Sequence, residues 1–174
     1  SVGFYLPEVI GEYKTFQENM RALKTLVTVG ATCELTESFT SVHGREGMET
    51  CKDIFLDTGN PEFLASLFYV AEVYRVLRIA HRRFPGIRRS LDKLVRLHFD
   101  NTPQRGPYDA LLRVLLARNT PSEISEGLQH VYYVLKDIAE NSSGWHETAA
   151  GLKEKAREIQ QYLFSGAEGA FRGE

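Results

Sequence analysis

The stretch NPEFLASLFYVAEVYRVLRIAHRRFPG, residues 60–86, decides the fold that this sequence predicts. Asn60 suits a helix N-cap, Pro61 suits a first helical turn, and Glu62 favours the positive end of the helix dipole. The first half of this helix is apolar almost all round, through Phe63, Leu64, Leu67, Phe68, Tyr69, Val70 and Ala71. Because a helix without a polar face is buried on several sides, we predict that it lies at the centre of a helical bundle.

The residues before this stretch predict a long helix, a loop and a short helix. The long helix opens near Pro7 and ends near Gly30. Its apolar residues recur at spacings of three or four, namely Val9, Tyr13, Phe16, Met20, Leu23 and Val27. Residues 36–50 are rich in Thr, Ser and Gly and predict a loop. Within residues 47–57 a short helix is indicated by an apolar face of Met48, Cys51, Ile54 and Phe55.

The residues after the central helix predict four more helices. Pro85 and Gly86 break the chain, and a new helix begins with one face made of Ile87, Leu91, Leu94, Val95 and His98. Residues 108–118 predict a short Leu-rich helix. Thr120 and Glu123 match a capping box at the start of a helix with the stripe Ile124, Leu128, Val131, Leu135 and Ile138. The last helix ends near Gly166 and buries Trp145, Ala149, Leu152, Ala156, Ile159 and Leu163.

The chain therefore predicts a compact all-α bundle of six to seven helices, with irregular helical-hairpin stacking as the open alternative. No stretch alternates strictly between apolar and polar residues, and no hairpin turn such as Asn-Gly is present. The 174 residues are 43% hydrophobic and 25% charged, a composition that favours a folded domain over disorder. We expect one domain over residues 1–164 and a flexible tail over residues 165–174.

Composition and cysteine use favour an intracellular, cytoplasmic protein. No apolar run approaches the roughly 18 residues of a membrane span, and the first residues do not resemble a signal peptide. The missing initiator Met favours a domain of a longer protein. Cys33 and Cys51 fit a reducing compartment. The alternative is a secreted helical-bundle cytokine with a Cys33–Cys51 disulfide.

No motif of catalysis, cofactor binding or metal binding is present, so we expect a non-catalytic protein. The five histidines never form HExxH, and the metal-ligand spacings of Cys and His are missing. The nucleophile elbow, the P-loop and the dinucleotide-binding glycine pattern are also missing. These absences favour a binding or scaffolding domain.

Charge is distributed very unevenly along the chain. Residues 73–98 hold eight of the 21 Lys and Arg but one of the 23 Asp and Glu, although the net charge is only −2. At about 100° per helical residue, Arg75, Arg78 and Arg82 share one stripe, which Arg83 flanks. After Pro85, a second row lies opposite the apolar face and comprises Arg89, Lys93 and Arg96. We predict that both rows are exposed, and the direction of the chain at Pro85 decides whether they converge.

We interpret this Arg-rich face as a binding surface for an acidic or phosphorylated protein. Arg is favoured over Lys where planar, bidentate contacts to carboxylates matter, and seven of the eight cations are Arg. The candidate partner-binding residues are Arg75, Arg78, Arg82, Arg83, Arg88, Arg89, Lys93 and Arg96. Two alternatives stay open: a solvated face paired with the acids of the rest of the chain, and binding of nucleic acid or anionic lipid.

Overall fold

The structure is a computed structural model that describes residues 13–36, 38, 43–44, 47–48, 53–117 and 119–166. It is all-α, as predicted, and the described residues form six α-helices. They are α1 (Phe16–Leu35), α2 (Pro61–Arg83), α3 (Arg88–Asn101), α4 (Gly106–Leu115), α5 (Glu126–Asn141) and α6 (Trp145–Gly166). Short 3-10 turns lie at Asp53–Phe55, Pro85–Ile87 and Pro121–Glu123.

The central position of α2 is confirmed, since α1, α4, α5 and α6 all pack against it. The Asn60 side chain accepts a hydrogen bond from the backbone N–H of Phe63, and Pro61 occupies the first turn. Both features match the start signal in the sequence. The buried apolar residues of its first half join one large core with α4, α5 and α6. Tyr69 is the exception to the predicted burial, because its side chain is exposed.

The helices α5 and α6 form an antiparallel hairpin that is the most extensive helix pair of the bundle. Gly127 near the start of α5 approaches the backbone of Tyr162, and Ile138 near its end meets Gly151. The predicted stripe is confirmed as buried, through Leu128, Val131, Leu135 and Ile138 of α5 and through Ile124, which precedes the helix. The capping box at Thr120 is also present, but it closes the 3-10 turn that precedes α5. On α6 the core residues include Ala149, Leu152, Ile159 and Leu163.

The first helix ends at a different residue from the one predicted. In the described residues it begins at Phe16, with Thr15 as N-cap, and it runs through Gly30 to Leu35. The predicted end at Gly30 is wrong. The β-branched run that suggested an end stays helical, and within it the hydroxyls of Thr28 and Thr32 each donate to the carbonyl four residues back. Pro7 and Val9 lie outside the described residues.

The apolar stripe of α1 faces away from the bundle. Its side chains are 78% exposed at Phe16, 47% at Met20 and 46% at Val27. The buried positions of α1 are Ala22, Thr25, Gly30 and Thr32 instead. The sequence placed Phe16, Met20 and Val27 on one face of this helix, and the structure shows that their side chains are exposed.

The short helix predicted within residues 47–57 falls partly outside the described residues, and its described part contains the 3-10 turn Asp53–Phe55. His43–Gly44 and Gly47–Met48 form two-residue strands that pair antiparallel, in a segment predicted as a loop. Phe55 is fully buried and stacks edge-on against Phe68, so the turn still contributes to the core. Cys51 and the predicted tail beyond Gly166 lie outside the described residues.

The helix α3 packs against α1, and two arginines hold its ends. At its start, Arg88 donates from Nε to the carbonyl of His81 over 2.7 Å, on the last turn of α2. At its end, Arg113 of α4 donates from Nη1 to the carbonyl of Phe99 over 3.1 Å and lies over the Phe99 ring. Phe99 is buried, whereas His98 is exposed. His98 nevertheless lines a cavity together with Leu91, Leu94 and Val95 of the face predicted for this helix.

Candidate functional site

Arg75, predicted to be exposed, is instead a buried structural residue. Its side chain is 1% exposed, and Nε and Nη2 each lie 2.8 Å from a carboxylate oxygen of Glu72. It also donates to the Ser38 hydroxyl and, over 3.3 Å, to the Ser143 carbonyl. The residues after α1 and the turn between α5 and α6 cover this part of α2. Arg75 is therefore not accessible to a partner.

A groove of about 440 Å³ opens where the second half of α2, the helix α3 and the end of α4 meet. Arg78, His81 and Arg82 line one wall from α2, and Asp92 and Arg96 line the opposite wall from α3. The apolar part of the lining is formed by Tyr74, Leu77, Leu91, Val95, Leu115 and Leu116. The groove thus combines an apolar floor with arginines on both sides.

The α2 wall of this groove is anchored to α5 through Glu140. The Tyr74 hydroxyl donates to Glu140 Oε1 over 2.7 Å, and Arg78 Nε lies 3.6 Å from the same oxygen. The hydrogen bond from Tyr74, with the positive charges of Arg78 and its neighbours, holds the pKa of Glu140 below its ordinary value. Burial, then the contact with Glu140, raises the pKa of Tyr74, which stays a neutral hydrogen-bond donor.

One ion pair connects the two walls. His81 Nε2 lies 3.5 Å from Asp92 Oδ1, a pair that is charged on both sides only when the imidazole is protonated. In the described part of the lining, Asp92 is the one acidic residue, against three arginines. Arg82 and Arg96 both have exposed side chains. A carboxylate or phosphate that enters the groove therefore meets positive charge from two helices.

The remaining predicted cations do not line this groove. Arg88, at the start of α3, donates a hydrogen bond to the His81 carbonyl on the last turn of α2. Arg89 and Lys93 lie on the other side of α3, where Lys93 pairs with Glu18 of α1 at 2.9 Å. Arg83 is exposed beside the break at Pro85. The turn at Pro85 therefore brings Arg96 to the side of Arg78 and Arg82 and places the rest of its row against α1.

A second cavity of about 260 Å³ lies between α1, α2, α3 and α4 and is almost entirely apolar. It shares Leu77, Leu91, Val95 and Leu116 with the groove, so these four side chains form a wall of both. The sequence did not indicate that the end of α4 lies beside the arginines of α2 and α3. The only available signal was the Leu-Leu pair at 115–116, which extends the Leu-rich face past the last turn of that helix.

Metal-ligating side chains do not cluster among the described residues. Within the ranges given above, no group of three His, Cys, Asp or Glu side chains could hold a metal ion. Burial raises the pKa of the half-buried Cys33, which favours the neutral thiol over the nucleophilic thiolate. Cys33 is a free cysteine in the structure, which does not support the alternative of a Cys33–Cys51 disulfide. In the part of the chain that is described, no helix has the length and apolar character needed to cross a membrane.

Comparison with known proteins identified no relative of this chain. No family model matches the chain, and no curated protein or solved structure matches it. The groove between α2, α3 and α4 is therefore the feature from which a function is inferred.

Proposed function

We propose that this protein is a non-catalytic protein-interaction domain of an intracellular adaptor or scaffold. Its groove binds an acidic or phosphorylated segment of a partner protein. One observation carries the proposal: Arg78 and Arg82 of α2 lie across an apolar floor from Arg96 of α3. Arginine matches carboxylate and phosphate groups through its planar, forked donors.

The apolar floor favours a protein segment over nucleic acid or a lipid surface. Protein interfaces combine an apolar centre with a polar rim in which Arg is enriched, which describes the lining of this groove. Single-stranded nucleic acid is usually bound by aromatic side chains interleaved with cations. Among the described residues that line the groove, Tyr74 is the one aromatic residue, and its hydroxyl donates a hydrogen bond to Glu140.

The test is a binding assay on an array of peptides that carry Asp, Glu or phosphoserine, with neutral peptides of equal length for comparison. The groove variant is Arg78→Gln/Arg82→Glu/Arg96→Glu. Its matched control, Arg83→Glu/Arg89→Glu/Arg157→Gln, makes the same change in net charge at exposed sites outside the groove. We expect the wild type and the control to bind acidic or phosphorylated peptides and the groove variant to lose at least about tenfold in affinity.

Two results would overturn the proposal. The first is equal peptide binding by the groove variant and the control variant, with thermal unfolding showing that both are folded. The second comes from parallel titrations with labelled RNA, duplex DNA and phosphatidylserine vesicles at two salt concentrations. Tight, salt-sensitive binding of one of these without any peptide binding would assign the arginines to phosphate backbones or lipid headgroups.

A further inference from the structure

The two walls of the groove restrict the shape of the segment that fits it. Cations stand on both sides, Arg78 and Arg82 on α2 and Arg96 on α3, and the apolar floor lies between them. A bound segment must therefore present apolar side chains toward the floor and, at the same time, acidic side chains toward both the α2 wall and the α3 wall.

An extended segment does not meet this requirement. Successive side chains of a strand point in opposite directions, so a strand with its apolar side chains on the floor turns the others outward to solvent. In a helix each residue is rotated by about 100°, and residues beside an apolar stripe point sideways toward both walls.

The length of the groove corresponds to a short helix. The α2 wall runs from Tyr74 to Arg82, which is about 12 Å at 1.5 Å per residue. A partner helix lying along this wall spans about eight residues there, or roughly two turns. Apolar residues at positions i, i+4 and i+7 of such a helix cover the floor.

On the basis of the proposed function, we infer that the groove binds an amphipathic α-helix of the partner, in which acidic residues flank the apolar stripe on both sides. One flank pairs with Arg78 and Arg82, and the other pairs with Arg96. The apolar side chains pack on the leucines that α2, α3 and α4 contribute to the floor, including Leu77, Leu91 and Leu115.

The first experiment compares three labelled peptides of identical composition and about 16 residues, long enough to form isolated helix in part. In the first, Glu residues flank a Leu stripe on both sides. In the second, all Glu residues lie on one flank. The third is a scrambled sequence without a stripe. By fluorescence anisotropy we expect the two-flank peptide to bind at least about tenfold tighter than the scrambled one, with a gain of helical circular dichroism on binding.

The second experiment assigns each flank to a wall by charge exchange. Two further peptides carry Lys in place of Glu, one on each flank. Arg82→Glu and Arg96→Glu are expected to lose the two-flank peptide, and each is expected to recover binding with a different Lys peptide. Arg157→Glu serves as the control and keeps the two-flank peptide, because Arg157 is exposed on α6 and does not line the groove.

The outcomes separate this inference from the proposed function. If the scrambled peptide binds as tightly as the two-flank peptide and still needs the groove arginines, the groove binds acidic peptides as proposed. The inference that the bound segment is an amphipathic helix is then wrong. If Arg82→Glu and Arg96→Glu both recover with the same Lys peptide, the two walls do not contact opposite flanks and the inference fails. If neither these peptides nor any acidic peptide of the array binds, the proposed function fails with it.

Discussion

The two sides of α2 are packed very differently. Toward α4, α5 and α6, one continuous cluster contains 22 buried apolar residues. Toward α1 and α3, the buried cluster consists of Ala80, Ile87 and Leu91, and two cavities lie beside it. We call these two regions the core half and the groove half. The contrast places most of the hydrophobic stabilisation in the core half and the candidate binding surface in the groove half.

The difference in packing between the two halves fits the proposed role of the groove half as a binding surface. A groove that receives a partner needs surface that is not already covered, and loosely packed elements open at lower free energy than the core. Three wall residues of the groove, Tyr74, Arg78 and Leu115, belong to helices that the core half holds in place. The core half thus holds the α2 wall of the groove in place, and α3 forms the opposite wall.

The largest expected effect compares one leucine from each half. Leu135 is fully buried in the core half, so Leu135→Ala is expected to lower the free energy of unfolding by about 4 kcal/mol. Leu91→Ala is expected to cost about 2 kcal/mol or less, because Leu91 already borders both cavities. Urea unfolding followed by circular dichroism measures both values. Equal losses would show that the groove half is packed as tightly as the core half.

The buried ion pair of Arg75 and Glu72 connects the two halves, and breaking it is the next largest effect. Arg75 reaches Ser38, which follows α1, and Ser143, between α5 and α6. The variant Arg75→Met leaves Glu72 buried without its charge partner, so we expect a loss of about 3 kcal/mol in the free energy of unfolding.

Two further variants serve as controls for this pair. Arg82→Met removes an exposed arginine of the same helix and is expected to change stability by no more than about 0.5 kcal/mol. The double variant Glu72→Leu/Arg75→Met removes both charges and is expected to regain part of the loss. If Arg75→Met unfolds at the same urea concentration as Arg82→Met, Arg75 does not hold the halves together.

The sequence predicted the core half better than the groove half, for a physical reason. In α5 the four residues of the predicted stripe that lie in the helix are all buried, because the helix packs with that apolar face inward. In α1 the periodicity correctly groups Phe16, Met20 and Val27 on one face, yet this face is exposed. Periodicity tells which residues share a face, but long-range packing decides which face is covered.

The same limit explains the partial success at the site. Helix geometry placed Arg75, Arg78 and Arg82 on one stripe of α2, and the structure agrees that Arg78 and Arg82 lie together. The burial of Arg75 depends on Ser143, which is 68 residues away in sequence. The position of Arg96 depends on the turn at Pro85. Neither is encoded in the local pattern of charges.

The smallest expected effect concerns the contact that joins the core half to the α2 wall. Because the pKa of Glu140 is lowered in the folded protein, its stabilising contribution is complete above the ordinary pKa of about 4.5 and is lost as the pH falls through the lower, folded value. Tyr74→Phe removes the hydrogen bond that contributes most to this lowering. At neutral pH the variant is expected to lose less than about 1 kcal/mol, since the carboxylate is partly exposed.

The difference between the wild type and Tyr74→Phe should therefore shrink on acidification from about pH 6 to pH 3, as the contribution of Glu140 disappears. Tyr133→Phe is the matched control, because Tyr133 is an exposed tyrosine on α5 and should show no such change. Urea midpoints at several pH values measure the effect. A constant difference across this range would mean that Tyr74 contributes through packing in the wall alone, and that Glu140 does not couple the groove to the core half.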